Sequence, residues 1–322
     1  MGGRHRVAVV GAGAIGGRHA QAMARVGRPI DIDIVDPLPA ARQRAVTLLS
    51  EASGRRDGSV QAFERLEDLG EVPDLAIVAT NSRERPDAIR KLVAHGARAL
   101  ILEKVLFTRL RDHDEIDGLL AKAGVRAWVN CPRNAYPRAA RLKQLVGGEP
   151  FHYRVEGQGW GLGCNLIHHL HEFSSLSQQD ELTLDTSALE MSVPPSRRSG
   201  YVEFFGRVAA EMPGGTRLTA ICTDGAPGLR TVTIDLGDRR LTLSPKQTLT
   251  IENAHGAETE AYPITPQSEL TASYAIAIFN GGSPLLPDYP TASGLHRIML
   301  DAFLQHLRRV HSDPTIDECP VT

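Results

Sequence analysis

The chain has 322 residues, 42% of them hydrophobic, and its 36 Lys and Arg against 38 Asp and Glu leave a formal net charge of −2. That balance offers no broad attraction to nucleic acid or acidic membranes, no run of 18 apolar residues marks a membrane span, and four cysteines in a chain this long do not describe a disulfide scaffold. The length suggests two domains, each able to bury its own core, in a cytoplasmic protein.

Residues 7–10 form an apolar strand that runs directly into Gly11-Ala-Gly13-Ala14-Ile15-Gly16. In a GxGxxG turn the first glycine permits the tight bend, the second lets the backbone approach a pyrophosphate, and the third lets the helix pack close to the sheet. The helix that follows, residues 14–26, aims its N-terminal amides and dipole at phosphate. A second strand, 32–35, ends at Asp36. An acid about 20 residues beyond the glycines is placed to hold the 2′-hydroxyl of an adenosine ribose. A helix at 40–49, a polar exposed stretch at 51–58 and a short strand at 60–63 come next.

Residues 75–79 are a near-continuous apolar strand suited to a buried parallel position, opening into Thr80-Asn81-Ser82. A helix at 84–94 stops at Gly96, the strand 99–102 ends at Glu103-Lys104, and a helix at 112–123 leads to a strand at 125–129. The alternation predicts an open parallel sheet with helices on both faces. Ligands of such sheets lie beyond the carboxyl ends of the strands, which gathers Thr80, Asn81, Glu103, Lys104 and Asn130 around one mouth.

After residue 130 the rhythm changes. A helix runs from 136 or 137 to 146, a half-exposed strand covers 151–156, and a helix covers 166–176. Strands follow at 184–191, 201–212, 217–223, 229–236, 240–243 and 248–252, joined by Gly-Gly, Asp-Gly and Gly-Asp turns that suit antiparallel connections. Leu270, Tyr274, Ala277 and Ile278, and then Leu295, Ile298, Met299 and Phe303, form two apolar helical stripes. The segment between them, 281–290, reads as an ordered loop bordering the active cleft. The expected fold class is α/β plus α+β. Residues 1–129 form an N-terminal Rossmann domain that binds NAD, and residues 130–322 a C-terminal, mainly antiparallel sheet domain with helices that binds substrate, its last helix packing back on the first domain.

Lys104 is either a solvated surface lysine or, at the ligand face, a group that donates a hydrogen bond and a proton to a carbonyl oxygen or stabilises an alkoxide. Glu103 either orients Lys104 or is a structural ion-pair acid. In the run from Gly161 to Glu172, Asn165 and His169 are four apart and share a helical face. Asn165 is alternatively the helix cap. His168 shares a neighbouring face with Glu172, while His171 points elsewhere. A cleft-facing histidine exchanges a hydroxyl proton near neutral pH. Cys164 with His168, or with Cys131, matches no strong zinc signature, and both cysteines read equally well as buried small hydrophobes. No metal is expected. Arg133 contacts an anionic or polyhydroxylated substrate or braces the domain hinge. Tyr136 stands beside it, and Trp160 is a stacking wall for a sugar-like ring or a packed core aromatic.

Together these features resemble the Gfo/Idh/MocA family of nicotinamide-dependent oxidoreductases over nearly the whole chain. The family's Glu-Lys-Pro motif corresponds to Glu103-Lys104-Val105, and the resemblance implies that Lys104 lies where nicotinamide and substrate meet. A cis bond before a non-proline residue costs about 3–4 kcal/mol, so Val105 predicts a trans bond and a slightly reshaped pocket. The family's aspartate and, four residues on, histidine correspond to Asn165 and His169. Asn165 cannot act as an anionic proton relay but can orient a hydroxyl. His169 then carries acid–base chemistry, with His168 its substitute if the register shifts. The family's cofactor-side Thr-Pro-Asn corresponds to Thr80-Asn81-Ser82. With Gly11, Gly13, Ala14, Ile15, Gly16, Asp36, Thr80, Asn81, Glu103 and Lys104 at the cofactor, Asp36 favours NAD over NADP, a preference softened by Arg42 and Arg44.

The expected reaction is reversible hydride transfer at a secondary alcohol or ketone of a sugar, cyclitol or sugar-derived metabolite, in a cleft between the domains. Glu103, Arg133, Tyr136, Trp160, Asn165 and His168 would contact this small polyhydroxylated substrate. The motif departures leave two alternatives: a cofactor-retaining epimerase or lyase, or a non-catalytic nucleotide- or sugar-binding sensor. The motif combination also resembles a branch associated with surface-sugar biosynthesis. A homodimer or homotetramer is implied by the family, with no nucleic-acid or membrane partner.

Overall fold

A computed structural model describes residues 4–52, 57–136 and 138–322. Residues 53–56 of the expected polar stretch, and Pro137 at the expected helix start, lie outside the described residues. The chain divides into two compact units.

The first unit comprises Met1–Phe107, Arg111–Asn130 and Thr265–Ala292. It is built on β1 (His5–Val10), α1 (Ala14–Ala22), β2 (Ile30–Val35), α2 (Pro39–Ser50), β3 (Val60–Phe63), β4 (Leu75–Val78), α3 (Arg85–His95), β5 (Ala99–Leu102), α4 (Leu110–Ala123) and β6 (Arg126–Val129). The six strands pair in the order β3-β2-β1-β4-β5-β6, all parallel. Every residue of β2, β4 and β5 is buried, as expected of strands covered on both faces. Helix α3 ends where Gly96 takes a left-handed conformation, φ 109°, which glycine adopts without a steric penalty.

A single boundary at 129/130 does not describe these units, because a later segment joins the first. The helix spanning Gln267–Phe279 packs its buried Leu270, Thr271, Tyr274 and Ile278 within this unit, against α1. Phe279 stacks on His5 at 4.0 Å, and Arg25 pairs with Glu269 at 3.0 Å.

The second unit comprises Thr108–Leu110, Cys131–Ile264 and Ser293–Thr322. It contains α5 (Ala139–Val146), β7 (His152–Gln158), α6 (Leu162–Ser177), β8 (Thr183–Leu189), β9 (Gly206–Glu211), β10 (Arg217–Thr223), β11 (Arg230–Asp235), β12 (Arg239–Ser244), β13 (Thr248–Asn253) and β14 (Gly256–Ala261). With Gln267–Phe279 as α7, the last helix is α8 (Tyr289–His311), most of which belongs here. Eight strands pair in the order β14-β13-β12-β11-β7-β10-β9-β8, antiparallel except for β7 beside β10. Tyr153 and Val155 of β7 face the same side as Val232 and Ile234 of β11, and all four are buried.

Three local differences from the sequence reading have physical causes. Helix α6 starts at Leu162 rather than 166, because the Glu203 carboxylate accepts the Gly163 N–H at 2.6 Å and caps the helix from 40 residues away. The strand expected at 201–212 is confined to β9, with Gly206 at φ 105° where it begins. Strand β14 was not expected because its residues are polar and mostly exposed, without apolar alternation. Among the described residues, no helix is long and apolar enough to cross a membrane.

Candidate functional site

The glycine turn sits where β1 meets α1. A Cβ on Gly16 would lie 1.7 Å from the Gly11 carbonyl oxygen, and one on Gly11 would lie 2.7 Å from the backbone of Ala79 and Thr80, so both positions exclude a side chain. A Cβ on Gly13 would meet nothing within 4 Å, which leaves space above the backbone. Ala14 opens α1, and Ile15 beside it is 48% exposed despite being apolar. Asp36 is buried at the end of β2. Its Oδ2 accepts the Ala12 N–H at 2.7 Å and its Oδ1 the Leu38 N–H at 2.8 Å. Each carboxylate oxygen keeps a further lone pair, so Asp36 braces the turn and can still accept a ribose hydroxyl. Arg42 donates to the Asp36 carbonyl at 2.6 Å.

At the ends of β4 and β6, Thr80 Oγ1 and Asn130 Oδ1 are buried without a hydrogen-bond partner among the described residues. Native proteins rarely leave such atoms unsatisfied. Together with the glycine cradle and Asp36, these orphans fit a dinucleotide with polar groups to offer. Asn81 accepts the backbone N–H groups of Glu84 and Arg85 on its carbonyl and so shapes the turn into α3.

Glu103, at the end of β5, is 6% exposed and belongs to a closed ring of polar groups that are buried apart from the half-buried Gln267. His19 Nε2 lies 3.0 Å from Glu103 Oε1, and Asn130 donates to the same oxygen. Asn130 Nδ2 also reaches Gln267 Oε1 at 2.9 Å, Gln267 Nε2 donates to Thr271 Oγ1 at 2.8 Å, and Thr271 Oγ1 meets His19 Nδ1 at 2.8 Å. Burial alone would raise the Glu103 carboxyl, but the bonds from His19 and Asn130 and the charge of Lys104 outweigh it and hold it below its ordinary value. The Lys104 N–H points to Glu103 Oε2 at 3.2 Å, and Lys104 is half-buried.

The expected trans bond is corrected: Lys104–Val105 is cis. Its surroundings are set by Arg85, buried on α3, which donates to the carbonyls of Thr80, Val105 and Leu106. Val105, Leu106 and Phe107 are all buried, so the segment is fixed on both its polar and apolar sides.

The second unit holds a different network. Arg133 Nη1 donates to Glu172 Oε2 at 2.7 Å, Tyr153 donates its hydroxyl proton to the same oxygen at 2.6 Å, and Tyr153 Oη lies 2.8 Å from His169 Nδ1. Arg133 Nη2 lies 3.2 Å from His169 Nε2. A guanidinium only donates, so Nε2 accepts and the ring proton sits on Nδ1, donated to Tyr153. His169 is therefore a neutral imidazole with both nitrogens engaged, and it is 0% exposed. Burial, then the charges of Arg133 and Arg230, hold its pKa well below the ordinary value. Burial and the Glu172 carboxylate push the Tyr153 hydroxyl well above its own, consistent with its role as donor. For Arg133, burial acts downward, but Glu172 outweighs it and the guanidinium stays charged.

Asn165 is not the helix cap; its Nδ2 donates to the Trp160 carbonyl at 2.8 Å, clasping the turn before α6. Trp160 is buried with Nε1 bonded to the Ile221 carbonyl at 2.7 Å, and its ring meets His169 edge-on at 5.5 Å. His168 is half-buried, as is Tyr136, over whose ring the Arg138 guanidinium lies at 4.8 Å. The reading of single residues did not find Tyr153, Arg230, His19, Gln267 or Thr271. The one available signal was Tyr153 at an inward position of the alternating β7.

The model of an oxidoreductase family with an NAD-binding Rossmann fold, GFO_IDH_MocA, matches residues 5–131. No curated protein matches the chain. Solved structures of similar fold include an oxidoreductase from Agrobacterium radiobacter in complex with NAD+, L-tartaric acid and magnesium, at 12% identity and TM-score 0.69, covering 96% of this chain and 99% of that one. A UDP-N-acetylglucosamine 3-dehydrogenase from Acidithiobacillus ferrooxidans matches at 16% identity and TM-score 0.69, with the same 96% and 99% coverage. A 3-ketoreductase from Actinomadura kijaniata in complex with NADP matches at 15% identity and TM-score 0.70, covering 93% and 96%.

Proposed function

We propose that this chain, whose residues 5–131 match the model of the Gfo/Idh/MocA oxidoreductase family, is an NAD-dependent oxidoreductase acting on a secondary alcohol or ketone of a sugar, cyclitol or sugar-derived metabolite. The observation that carries this reading is Lys104 at the carboxyl end of β5, its backbone fixed beside a Glu103 that three separate donors hold. Hydride acceptance or donation is the chemistry that a bound nicotinamide supplies. Lys104 donates a hydrogen bond and a proton to the carbonyl oxygen in reduction, and takes the hydroxyl proton back as the carbonyl forms in oxidation. The ring of His19, Asn130, Gln267 and Thr271 keeps Glu103 from drifting and so holds the strand end that presents Lys104.

His169 has no ring nitrogen to spare, so in this proposal it positions Arg133 and Tyr153 and leaves proton handling to Lys104. Asp36 supports NAD over NADP, because its carboxylate would repel a 2′-phosphate. The sugar class rests on the family resemblance and on two of the similar structures, a sugar-nucleotide dehydrogenase and a 3-ketoreductase.

The test measures NADH and NADPH formation by the wild type and Lys104→Met over a panel of sugars and cyclitols. Loss of a general acid–base group predicts a kcat lowered by about 10²–10⁴-fold, with NAD+ affinity by calorimetry close to wild type. Equal turnover in the two proteins would remove Lys104 from the mechanism, and a preference for NADP+ would overturn the role given to Asp36.

A further inference from the structure

Arg230 is the first residue of β11 and pairs with Gly157 of β7, on the face of the sheet that carries Tyr153, Val155, Val232 and Ile234. That face is apolar at each of the neighbouring buried positions apart from the Tyr153 hydroxyl. A guanidinium there is partly withdrawn from water, which is costly unless an opposite charge or hydrogen-bond acceptors compensate. Among the described residues, the Arg230 side chain makes no hydrogen bond or ion pair; its guanidinium lies 5.7 Å above the Trp160 ring.

The surrounding charges do not balance either. Arg133, Arg138 and Arg230 gather here, and the carboxylate that acts on all three is Glu172. The Oε2 of Glu172 is already taken by Arg133 and Tyr153. Arg138 commits Nη1 to the Tyr262 carbonyl at 2.7 Å and lies 4.0 Å over the Tyr262 ring, while its buried Nε has no partner among the described residues. Arg230 is thus the guanidinium of the group with every donor uncommitted, on a row that continues through Trp160 to His169. Its planar fork of N–H groups matches an oxyanion in two-point contact.

We infer that Arg230 is an anion-recognition residue, and that the ligand of the second unit carries a carboxylate or phosphate group beside its hydroxyls. That the ligand is a substrate rests on the oxidoreductase reading above; the anion site itself does not.

The test titrates the NAD+-saturated protein, whose glycine turn then offers no phosphate site, with malonate and separately with inorganic phosphate by calorimetry. Wild type, Arg230→Met and Arg230→Lys are compared, with Arg230→Gln replacing the methionine variant should that one fail to fold. At least one anion is expected to bind the wild type, with affinity lowered about tenfold or more in Arg230→Met and largely retained in Arg230→Lys. Binding of malonate alone identifies a carboxylate, and of phosphate alone a phosphoryl group. Failure of both anions to bind, or equal binding by wild type and Arg230→Met, overturns the site. Anion binding that depends on Arg230 in a protein without turnover retires the oxidoreductase reading only. Turnover with Arg230-independent anion binding retires the anion site only.

Discussion

Glu172→Gln isolates the charge at the centre of the second unit's network without removing its shape. A glutamine can keep an oxygen at the Oε2 position and so still accept from Arg133 and Tyr153, at the present 2.7 and 2.6 Å. What disappears is the negative charge facing an arginine whose side chain is 14% exposed, from a carboxylate that is 6% exposed. Breaking a buried ion pair by removing one partner costs about 3–5 kcal/mol, and the retained hydrogen bonds place this variant near 3. For a unit of roughly 170 residues, each kcal/mol lowers the melting temperature by about 2–4 °C, so a fall of about 6–12 °C is expected. The two tryptophans are divided between the units, Trp128 in the first and Trp160 in the second. A Trp128→Phe background therefore reports the second unit alone by fluorescence during urea denaturation. Arg133→Met should cost a similar amount by stranding Glu172, while the double variant, with no charge left to strand, should recover at least about 2 kcal/mol relative to the sum. A loss below about 1 kcal/mol in Glu172→Gln, or simple additivity of the two changes, would show that the pair does not hold the network together.

The second unit should also lose stability in mild acid. Burial lowers His171 to about 4 and His169 well below its ordinary value, whereas the unfolded chain protonates histidine near pH 6.5. The unfolded state therefore binds more protons below that pH, and stability that is intact above about 6.5 falls as pH drops toward the folded values. Urea midpoints at pH 7.5 and 5.0 read this directly; His171→Gln should narrow the gap, and a midpoint at pH 5.0 equal to or above that at 7.5 would contradict the assignment. In the first unit, Thr271→Val keeps the side-chain shape but removes the partner of both His19 Nδ1 and Gln267 Nε2. The buried His19 nitrogen left unsatisfied at about 1–3 kcal/mol, with a smaller cost at the half-buried Gln267 amide, predicts a loss of roughly 1–4 kcal/mol, largely restored in Thr271→Ser; a valine variant as stable as wild type would show that the ring is not cooperative.

The nucleotide-binding half was legible because its determinants are local. The fully buried tetrads Leu75–Val78 and Ala99–Leu102 announce parallel strands by composition alone, and Gly11 and Gly16 are required by backbone atoms a few residues away or on the adjoining strand. Where the reading failed, the determinant lies far off in the chain. Helix α6 gains its first turn from Glu203, and the Lys104–Val105 segment takes its setting from Arg85. The third segment of the first unit, with α7, belongs there because Thr271 and Gln267 complete a polar ring begun at His19, some 250 residues earlier. Helical or strand periodicity reports which face is apolar; it does not report which distant side chain arrives there.

The same distinction decides the chemistry of His169. Its spacing from Asn165 correctly implies one helix, yet a shared face says nothing about which ring nitrogen is available. That is fixed by Arg133, 36 residues away, and by Tyr153 on another element. An arginine at Nε2 forces the acceptor state there and the proton onto Nδ1, leaving a neutral imidazole with both nitrogens engaged. The cation left over is Arg230, whose position at the head of an alternating strand looks from sequence like any exposed edge. Charge chemistry in this unit thus follows from the count of donors and acceptors that meet in space: Glu172 is shared by Arg133 and Tyr153, His169 is closed by both, and Arg230 is the arginine of the three whose whole donor fork stays open to an anion.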